Sequence, residues 1–526
     1  MLKESFLLNK DPRNGLRFQK DLRSAVLLGL VLLLGITLRF YNLGTESYWL
    51  DEIFTVNMAQ RNVDQLLAVR ELNWPPAYYV LIHFWVRLFG TAETATRSLA
   101  ALAGIASIAI IYFLGRELFG KSIGLLSALL MAISEFQIHC SQETRFYSLF
   151  ALATLLSIFF YIKALRSNRT GYFLVYVATS VLLFYSHAYG VFIFAAQHLY
   201  FLIRWKEYRK VRVKWFLCQT LLFFAIAPNF LPNILKSKRI AGVGVSTLGW
   251  IPDPPLSALL RTVYEYVLPL RHDRSWMAVV LSFAAGIAFF MIGTALFAHW
   301  MGKKQWFTSA KNLLGERQGL ASKANELLLL GCCFLCPLIF PFVLSKLIGP
   351  MYVDRYTISA SPALYLLLAF GITRIGKIVP VFVSITALAI LVAPGLASYY
   401  GTPVKEQWRE AAAFVTANAS DRDVIIFSLE DGEWQRRCFD WYYRGNLSEC
   451  CIDKDLKDKD DKAIEDALAK CTSGHERFWL IMRDTSKTVG RFKGFFLNSK
   501  HADMRLIEEP SFKGLSVYLY ERYNRK

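Results

Sequence analysis

Residues 24–38 read Ser-Ala-Val-Leu-Leu-Gly-Leu-Val-Leu-Leu-Leu-Gly-Ile-Thr-Leu, and the next four are Arg39-Phe40-Tyr41-Asn42. An uncharged apolar run that ends on a cation and aromatic rings is what a helix presents where it leaves a bilayer. A short way on stands Tyr48-Trp49-Leu50-Asp51-Glu52, two adjacent carboxylates beside that edge. In an ordinary connecting loop such a pair is solvated and idle. The next stretch changes the reading. Asn73-Trp74-Pro75-Pro76-Ala77-Tyr78-Tyr79 leads into Val80–Phe89, which is apolar but interrupted by His83 and Arg87. That run is shorter than the roughly 20 residues a span requires. It reads as a helix lying in the interface. A carboxylate pair held between a membrane helix and interfacial helices is a shaped site.

Composition sets the class. The chain has 526 residues, 54% of them apolar and 15% aromatic, with a net charge of +19 and a mean hydropathy of +0.32. Together with many long uncharged runs, this describes a polytopic α-helical membrane protein. The positive charge excludes nucleic acid as the first reading, because many Lys and Arg residues lie in short loops between apolar runs, as expected beside anionic lipid. Arg13, Arg17, Lys20 and Arg23 precede the first run, and no small-x-small cleavage site follows it. Residues 1–23 therefore read as a cytoplasmic segment before an uncleaved helix.

Further apolar runs fall near 94–114, 123–138, 148–165, 171–186, 190–203, 215–235, 276–300, 324–347, 357–373 and 378–398. With the first they make about eleven transmembrane helices. Leaving out Val80–Phe89, the basic segments 163–169, 204–214, 302–323 and 374–377 all fall on the cytoplasmic side, as the positive-inside rule requires. The domain reading is then 24–398 for the membrane domain, with an external loop at 41–93, and 399–526 for a small soluble α/β domain outside the cytoplasm. The latter shows strand patterns at Asp423–Phe427, Phe478–Met482 and Val517–Tyr520, and helical patterns at Gln407–Ala417 and Ala463–Lys470. Cys438, Cys450, Cys451 and Cys471 pair there in one of three full connectivities, or stay as small packed thiols. Cys332, Cys333 and Cys336 have a metal-like spacing but sit in an apolar run and read as helix packing.

Other polar residues gather in the external connections. They are Ser141–Tyr147, Ser186–Gly190, the loop from Lys236 to Ser275, and Met351–Tyr356. Positive charge in an external loop departs from the topology rule. A lipid phosphate accounts for it, since guanidinium and ammonium groups pair with phosphate. Arg355, Lys236, Lys238 and Arg239 are the candidates.

At this point the chain resembles a family. Tyr48–Glu52, Trp74–Trp85, Gly115-Arg116-Glu117-Leu118-Phe119-Gly120, Gln142–Tyr147 and Asp354-Arg355-Tyr356 are similar, in order and spacing, to the GT-C glycosyltransferases. Within them the likeness is to bacterial relatives of protein O-mannosyltransferases and of the lipid A aminoarabinose transferase. It covers residues 24–398 and is densest over 40–165. The resemblance implies a GT-C fold and an enzyme of the bacterial inner membrane. That enzyme moves a sugar from a polyprenyl-phosphate donor to a glycan, lipid or protein hydroxyl on the extracytoplasmic face. It places the catalytic carboxylate at Asp51, with Glu52 beside it, and the second acid at Glu143. Some relatives have Asp at that second position, which leaves open whether Asp51 and Glu143 share a divalent metal ion. Trp49, Pro75, Pro76, Tyr78, His83, Gln142, Arg145, Tyr147, Tyr352 and Tyr356 then line the substrate cavity.

The residues support that chemistry independently. A carboxylate is a competent base for an acceptor hydroxyl. One base opposite a good leaving group favours inversion. A positioned Arg meets the charge that builds on the departing phosphate. No glycine loop for cradling a nucleotide phosphate is present. The alternative is a transporter or lipid flippase, which calls for mid-membrane charges and paired broken helices in two related halves. A third reading is a scaffold with a degenerate site.

Overall fold

The computed structural model describes residues 12–68, 76–241, 251–268, 323–374, 390, 392–427, 432–452, 461–484 and 504–522. They divide into two compact units, taken in turn.

The first unit holds residues up to Tyr41, 62–84 and 97–398, and it is helical. Its elements are α1 (Pro12–Phe40), α3 (Val63–Ala68), most of α4 (Pro76–Phe89) and of α5 (Glu93–Phe119), α6 (Lys121–Ile133), α7 (Glu135–Ser141), α8 (Tyr147–Ser167), α9 (Thr170–Ser186), α10 (Gly190–Ile203), α11 (Arg212–Ala241) and α12 (Ser257–Val267). Helices at Ala324–Leu347 and Ser361–Arg374 follow, the latter preceded by a 3₁₀ segment at Asp354–Ala360. Among the described residues six helices are long and apolar enough to cross a membrane, or seven if the bent pair α6–α7 is one span. α9 and α10 are shorter apolar helices. These coincide with the apolar runs of the sequence, so the polytopic helical fold is as expected. The run near 276–300 lies outside the described residues, as does most of 378–391. α4 is 14 residues long and is not among the candidate spans.

The break between α6 and α7 organises this unit. Ser134 leaves the helical region (φ −63°, ψ 117°) and the axis turns by 63°. The last carbonyls of α6 then lack helical donors. Arg39 supplies them. Its guanidinium donates to the carbonyls of Ala132 and Met131, each at 3.1 Å, to Gly35 O at 3.3 Å and to Ser141 Oγ at 3.2 Å. Arg39 is fully buried, so its place at a bilayer edge, inferred from the sequence, is corrected to a place inside the protein. Gln142 performs the matching task for α1. Its side-chain amide donates to the carbonyls of Leu38, Arg39 and Tyr41 at 2.9–3.4 Å, closing the C-terminal end of that helix. Gly104 gives this junction room, since a Cβ there meets Ser141 Oγ and Arg39 Nε closer than 3.0 Å. The break is also tied to α12 and to the Ser361–Arg374 helix. Ser134 Oγ donates to Tyr266 O at 3.0 Å, Tyr365 donates to Ser134 Oγ at 2.8 Å, and Gln137 Nε2 donates to Ser361 Oγ at 2.7 Å.

The glycines of Gly115–Gly120 serve packing. A Cβ on Gly115 meets the Gly124 backbone at 2.8 Å, and Gly120 turns at φ +105° between α5 and α6. Glu117 of the same stretch pairs with Lys163 at 2.6 Å and Arg166 at 3.2 Å, at the end of α8 opposite Tyr147.

The second unit holds residues 42–61, 85–96 and 399–526. Its mixed sheet has the order β2–β1–β3–β6–β4, with β5 also on β6. The strands are β1 (Val424–Phe427), β2 (Ser448–Cys451), β3 (Arg477–Arg483), β4 (Met504–Glu508), β5 (Ser511–Phe512) and β6 (Leu515–Arg522). β1 runs parallel to β2 and β3, and β6 is antiparallel to β3. One face of the sheet packs on Ile452 and Leu468. The other packs on the Trp408–Asn418 and Gly432–Asp440 helices and on Tyr48, Ile53 and Val56 from the first loop. Cys450 and Cys471 form a disulfide, Cys438 is a buried free thiol and Cys451 an exposed one. Cys332, Cys333 and Cys336 are buried free thiols in a helix, as read from the sequence.

Arg39→Ala leaves at least two buried α6 carbonyls without donors, at roughly 1–3 kcal/mol each. Thermal unfolding in detergent should show a clear drop in midpoint. Arg39→Lys should recover only part of it, because an ammonium lacks the planar fork. An unchanged midpoint in Arg39→Ala rejects this account of the break.

Candidate active site

The paired acids belong to the second unit. The backbone is extended at Trp49, and α2 (Leu50–Ala59) starts at the next residue. Asp51 and Glu52 sit in its first turn, where carboxylates face the positive end of the helix dipole. Adjacent residues on a helix point about 100° apart, and here their surroundings diverge. Glu52 is fully buried. Lys405 Nζ lies 3.2 Å from both of its oxygens, and the Trp49 N–H donates to Oε2 at 3.4 Å. Asp51 is half-buried, and its backbone carbonyl accepts from Thr55 Oγ1 at 2.8 Å.

The stretch leading to Asp51 is strapped by the C-terminal segment. The N–H groups of Val404 and Lys405 donate to Glu46 Oε1, and Ser47 Oγ donates to Glu406 O at 2.6 Å. The Tyr48 N–H donates to the Tyr442 hydroxyl at 2.7 Å, and the Tyr48 hydroxyl donates to Thr91 O at 2.8 Å. Beyond Asp51, Phe54 meets Trp434 edge-on at 5.8 Å.

The first unit carries a polar cluster where α7 meets α8, α9 meets α10, and residues 351–356 enter the 3₁₀ segment. Glu143 is buried, with His139 Nε2 at 3.2 Å from its carboxylate. The Arg145 guanidinium lies 4.8 Å from the Phe146 ring centre. Tyr147 stacks on Tyr356 at 6.3 Å, and His187 lies 4.8 Å and Tyr189 5.7 Å from that same ring. Arg355 is half-buried, with its guanidinium 5.8 Å from the Tyr356 ring. Its N–H donates to Asp354 Oδ1 at 2.9 Å. Arg261 lies 3.8 Å from the other Asp354 oxygen and 3.7 Å from Glu265. Tyr352 is buried and donates to Thr262 Oγ1 at 2.8 Å. Desolvation, with Arg145 adding to it, pushes the His187 imidazole down to about 3.

The structure thus brings Glu143, Arg145, Tyr147, Tyr352, Arg355 and Tyr356 into one cluster of the first unit. Asp51, Glu52 and Trp49 stand together in the second. Gln142 is a helix cap. Tyr78 and His83 are buried in α4, His83 against the edge of Phe84 at 5.1 Å, and Pro76 opens that helix. Pro75 lies outside the described residues. Lys236, Lys238 and Arg239 are corrected from a loop to the last turns of α11, which runs to Ala241. The segment 257–267, also read as loop, is helix α12. Two partners escaped sequence reading. His139 stands four residues before Glu143, a spacing that flags a helical pair. Lys405 lies 353 residues from Glu52, and nothing local announces it. Among the described residues no group of three or more His, Cys, Asp or Glu side chains is placed to hold a metal ion.

Comparison with known proteins agrees with this architecture. Residues 73–231 match the family model described as dolichyl-phosphate-mannose-protein mannosyltransferase. A stretch of 114 residues, 20% of the chain, is 32% identical to an uncharacterized protein of Aquifex aeolicus (strain VF5). That stretch is 23% of the relative, so the chain spans under a quarter of the curated protein it matches. The fold is similar to the crystal structure of ArnT from Cupriavidus metallidurans in the apo state, with a TM-score of 0.54 at 11% identity over 93% of this chain and 97% of that one. It is also similar to the apo crystal structure of the oligosaccharyltransferase of Archaeoglobus fulgidus, with a TM-score of 0.50 at 13% identity over 96% and 75%. Fold and match define the class: a multi-pass membrane protein with the GT-C glycosyltransferase fold.

His187 gives the cluster a pH signature. Its pKa is about 3 folded against 6.5 for an ordinary imidazole. The unfolded chain therefore takes up this proton first, and stability falls as pH drops from 6.5 toward 3. Thermal midpoints between pH 7 and pH 4 should fall less steeply for His187→Phe than for wild type. Parallel curves reject the assignment.

Proposed function

We propose that the protein is a glycosyltransferase of the bacterial inner membrane. It moves a sugar from a polyprenyl-phosphate donor to an acceptor hydroxyl of a glycan, lipid or protein on the extracytoplasmic face, with inversion. The observation that carries this reading is the asymmetry of the acid pair. In a chain with the GT-C fold, Glu52 is fully buried and paired with Lys405, while Asp51 at the start of α2 is only half-buried. The description of the family model matched over 73–231 supports a lipid-phosphate donor.

The reaction follows from the side chains. Asp51 accepts the proton of the acceptor hydroxyl. The acceptor oxygen bonds to the anomeric carbon as the bond from that carbon to the donor phosphate oxygen breaks. The departing lipid phosphate gains negative charge, which Arg355 meets with a charge-assisted contact. Lys236, Lys238 and Arg239 at the end of α11 add positive charge for the same anion. This reading assigns Glu143, held by His139, to orienting the reacting groups, and Tyr147, Tyr356 and Arg145 to the substrate cavity.

Topology fits the same reading. The basic stretch at Lys163–Arg169 lies at the end of α8 opposite Tyr147, as expected of a cytoplasmic edge. The Cys450–Cys471 disulfide supports an oxidising compartment for the C-terminal segment.

Purified Asp51→Asn should keep wild-type expression and donor binding while losing roughly 10²–10⁴-fold in turnover, the usual contribution of a general base. Folded Asp51→Asn that transfers sugar at the wild-type rate sinks the assignment. Arg355→Ala should weaken donor use about 10- to 150-fold, the equivalent of roughly 1.5–3 kcal/mol for a bond to a charged group. Unchanged donor dependence there moves the phosphate contact to the end of α11. An alkaline phosphatase fused after Lys526 should be active outside the cytoplasm, and an inactive phosphatase with a fluorescent reporter active only in the cytoplasm reverses the topology.

A further inference from the structure

We propose that Lys405, a residue of the C-terminal segment, is a positioning residue for transfer. Its ion pair with Glu52 decides which of the two adjacent acids meets substrate. The inference rests on the reading of Asp51 as the base.

Two neighbouring carboxylates in one helical turn are chemically near-equivalent as proton acceptors. Turning α2 by one residue, about 100°, exchanges their positions. Something must hold the register, and the apolar residues of α2 do so only loosely, since burial of Ile53 and Val56 is non-directional. Lys405 supplies direction. Its side-chain exposure is 5% and that of Glu52 is 0%, and its Nζ is equidistant from both carboxylate oxygens at 3.2 Å. Its own N–H donates to Glu46 Oε1 at 3.3 Å. One residue therefore grips both ends of the Glu46–Glu52 stretch. The Trp49 N–H on Glu52 Oε2 closes the turn between them.

Stability alone does not explain the pair. The core that holds Ile53 and Val56 of the same helix is apolar, with Trp408, Ala411 and Trp479 in it. Replacing a buried ion pair by apolar residues of similar volume is often neutral or stabilising. What the apolar replacement loses is orientation. A carboxylate that is asked to take a proton within hydrogen-bond reach of one acceptor oxygen depends on that orientation, and a misplacement of about 1 Å costs as much as 10²-fold.

The test uses the full chain in detergent with a polyprenyl-phosphate sugar. Glu52→Leu/Lys405→Met removes both charges and should melt close to wild type. Its kcat should fall roughly 10- to 100-fold with donor KM unchanged. Lys405→Arg, which keeps the pair, should restore most of kcat. The exchanged pair Glu52→Lys/Lys405→Glu should do likewise, so a double apolar variant that fails to fold leaves two informative proteins. Wild-type kcat in the folded double variant overturns the inference, as does a folded exchanged pair no better than the double variant. Asp51→Asn in the same assay separates this from the underlying reading. If Asp51→Asn is inactive while the double variant is fully active, only the role of Lys405 falls. If Asp51→Asn is fully active, the base assignment falls and the role of Lys405 falls with it.

Discussion

A buried guanidinium set against backbone carbonyls is the constraint on which the membrane unit depends. The Arg39 guanidinium donates to three backbone carbonyls and one hydroxyl. Burying a guanidinium is tolerable only when its N–H groups find acceptors that lack better donors. The break at Ser134 provides such acceptors, because the last carbonyls of α6 have lost their helical partners. The charge and the break each make the other affordable. From that junction the rest follows: α7 departs at 63°, carries Glu143 past its C-terminal end, and leaves the Tyr147 end of α8 beside Tyr356 and His187.

The second unit uses the opposite strategy. Its sheet face is covered by two C-terminal helices and by a helix borrowed from the first loop, and Tyr48 is wholly buried among them. A loop on a membrane surface has little apolar material with which to fix itself. Here Tyr48, Ile53 and Val56 act as plugs in a core that the loop does not supply. The polar straps from residues 404–406 then set its register. Shape comes from hydrophobic burial, and direction comes from a few hydrogen bonds and one ion pair.

Much of this was legible in the sequence, for local reasons. Apolar runs announce spans because bilayer thickness fixes their length. Asp423–Phe427, Phe478–Met482 and Val517–Tyr520 announced strands because they are rich in β-branched and aromatic residues. β2 (Ser448–Cys451) is polar and largely exposed, so its partnership with β1 had no pattern to betray it. The acids Asp51 and Glu143 stood out by charge beside a membrane edge. What separates Asp51 from Glu52 was invisible, because it is decided by Lys405 from the far end of the chain. Arg39 was misread for a related reason: a cation at the end of an apolar run looks the same whether it leaves for water or turns inward to carbonyls. Gln142 looked like a cavity residue because nothing in its neighbourhood mentions the α1 carbonyls it caps.

The discontinuity of the second unit sets an order of events during biosynthesis. Tyr48, Ile53 and Val56 emerge early, but their core is encoded after residue 399. Lys405 follows Glu52 by 353 residues, which at ribosomal speeds of about 5–20 residues per second is a wait of roughly 20–70 s. For that interval the first loop exists as an apolar segment with no place to go. The acid pair is likewise unsorted, with neither carboxylate committed to burial. The first loop is therefore finished last although it is made first, and a nascent chain stalled in its membrane portion carries both acids but not Lys405.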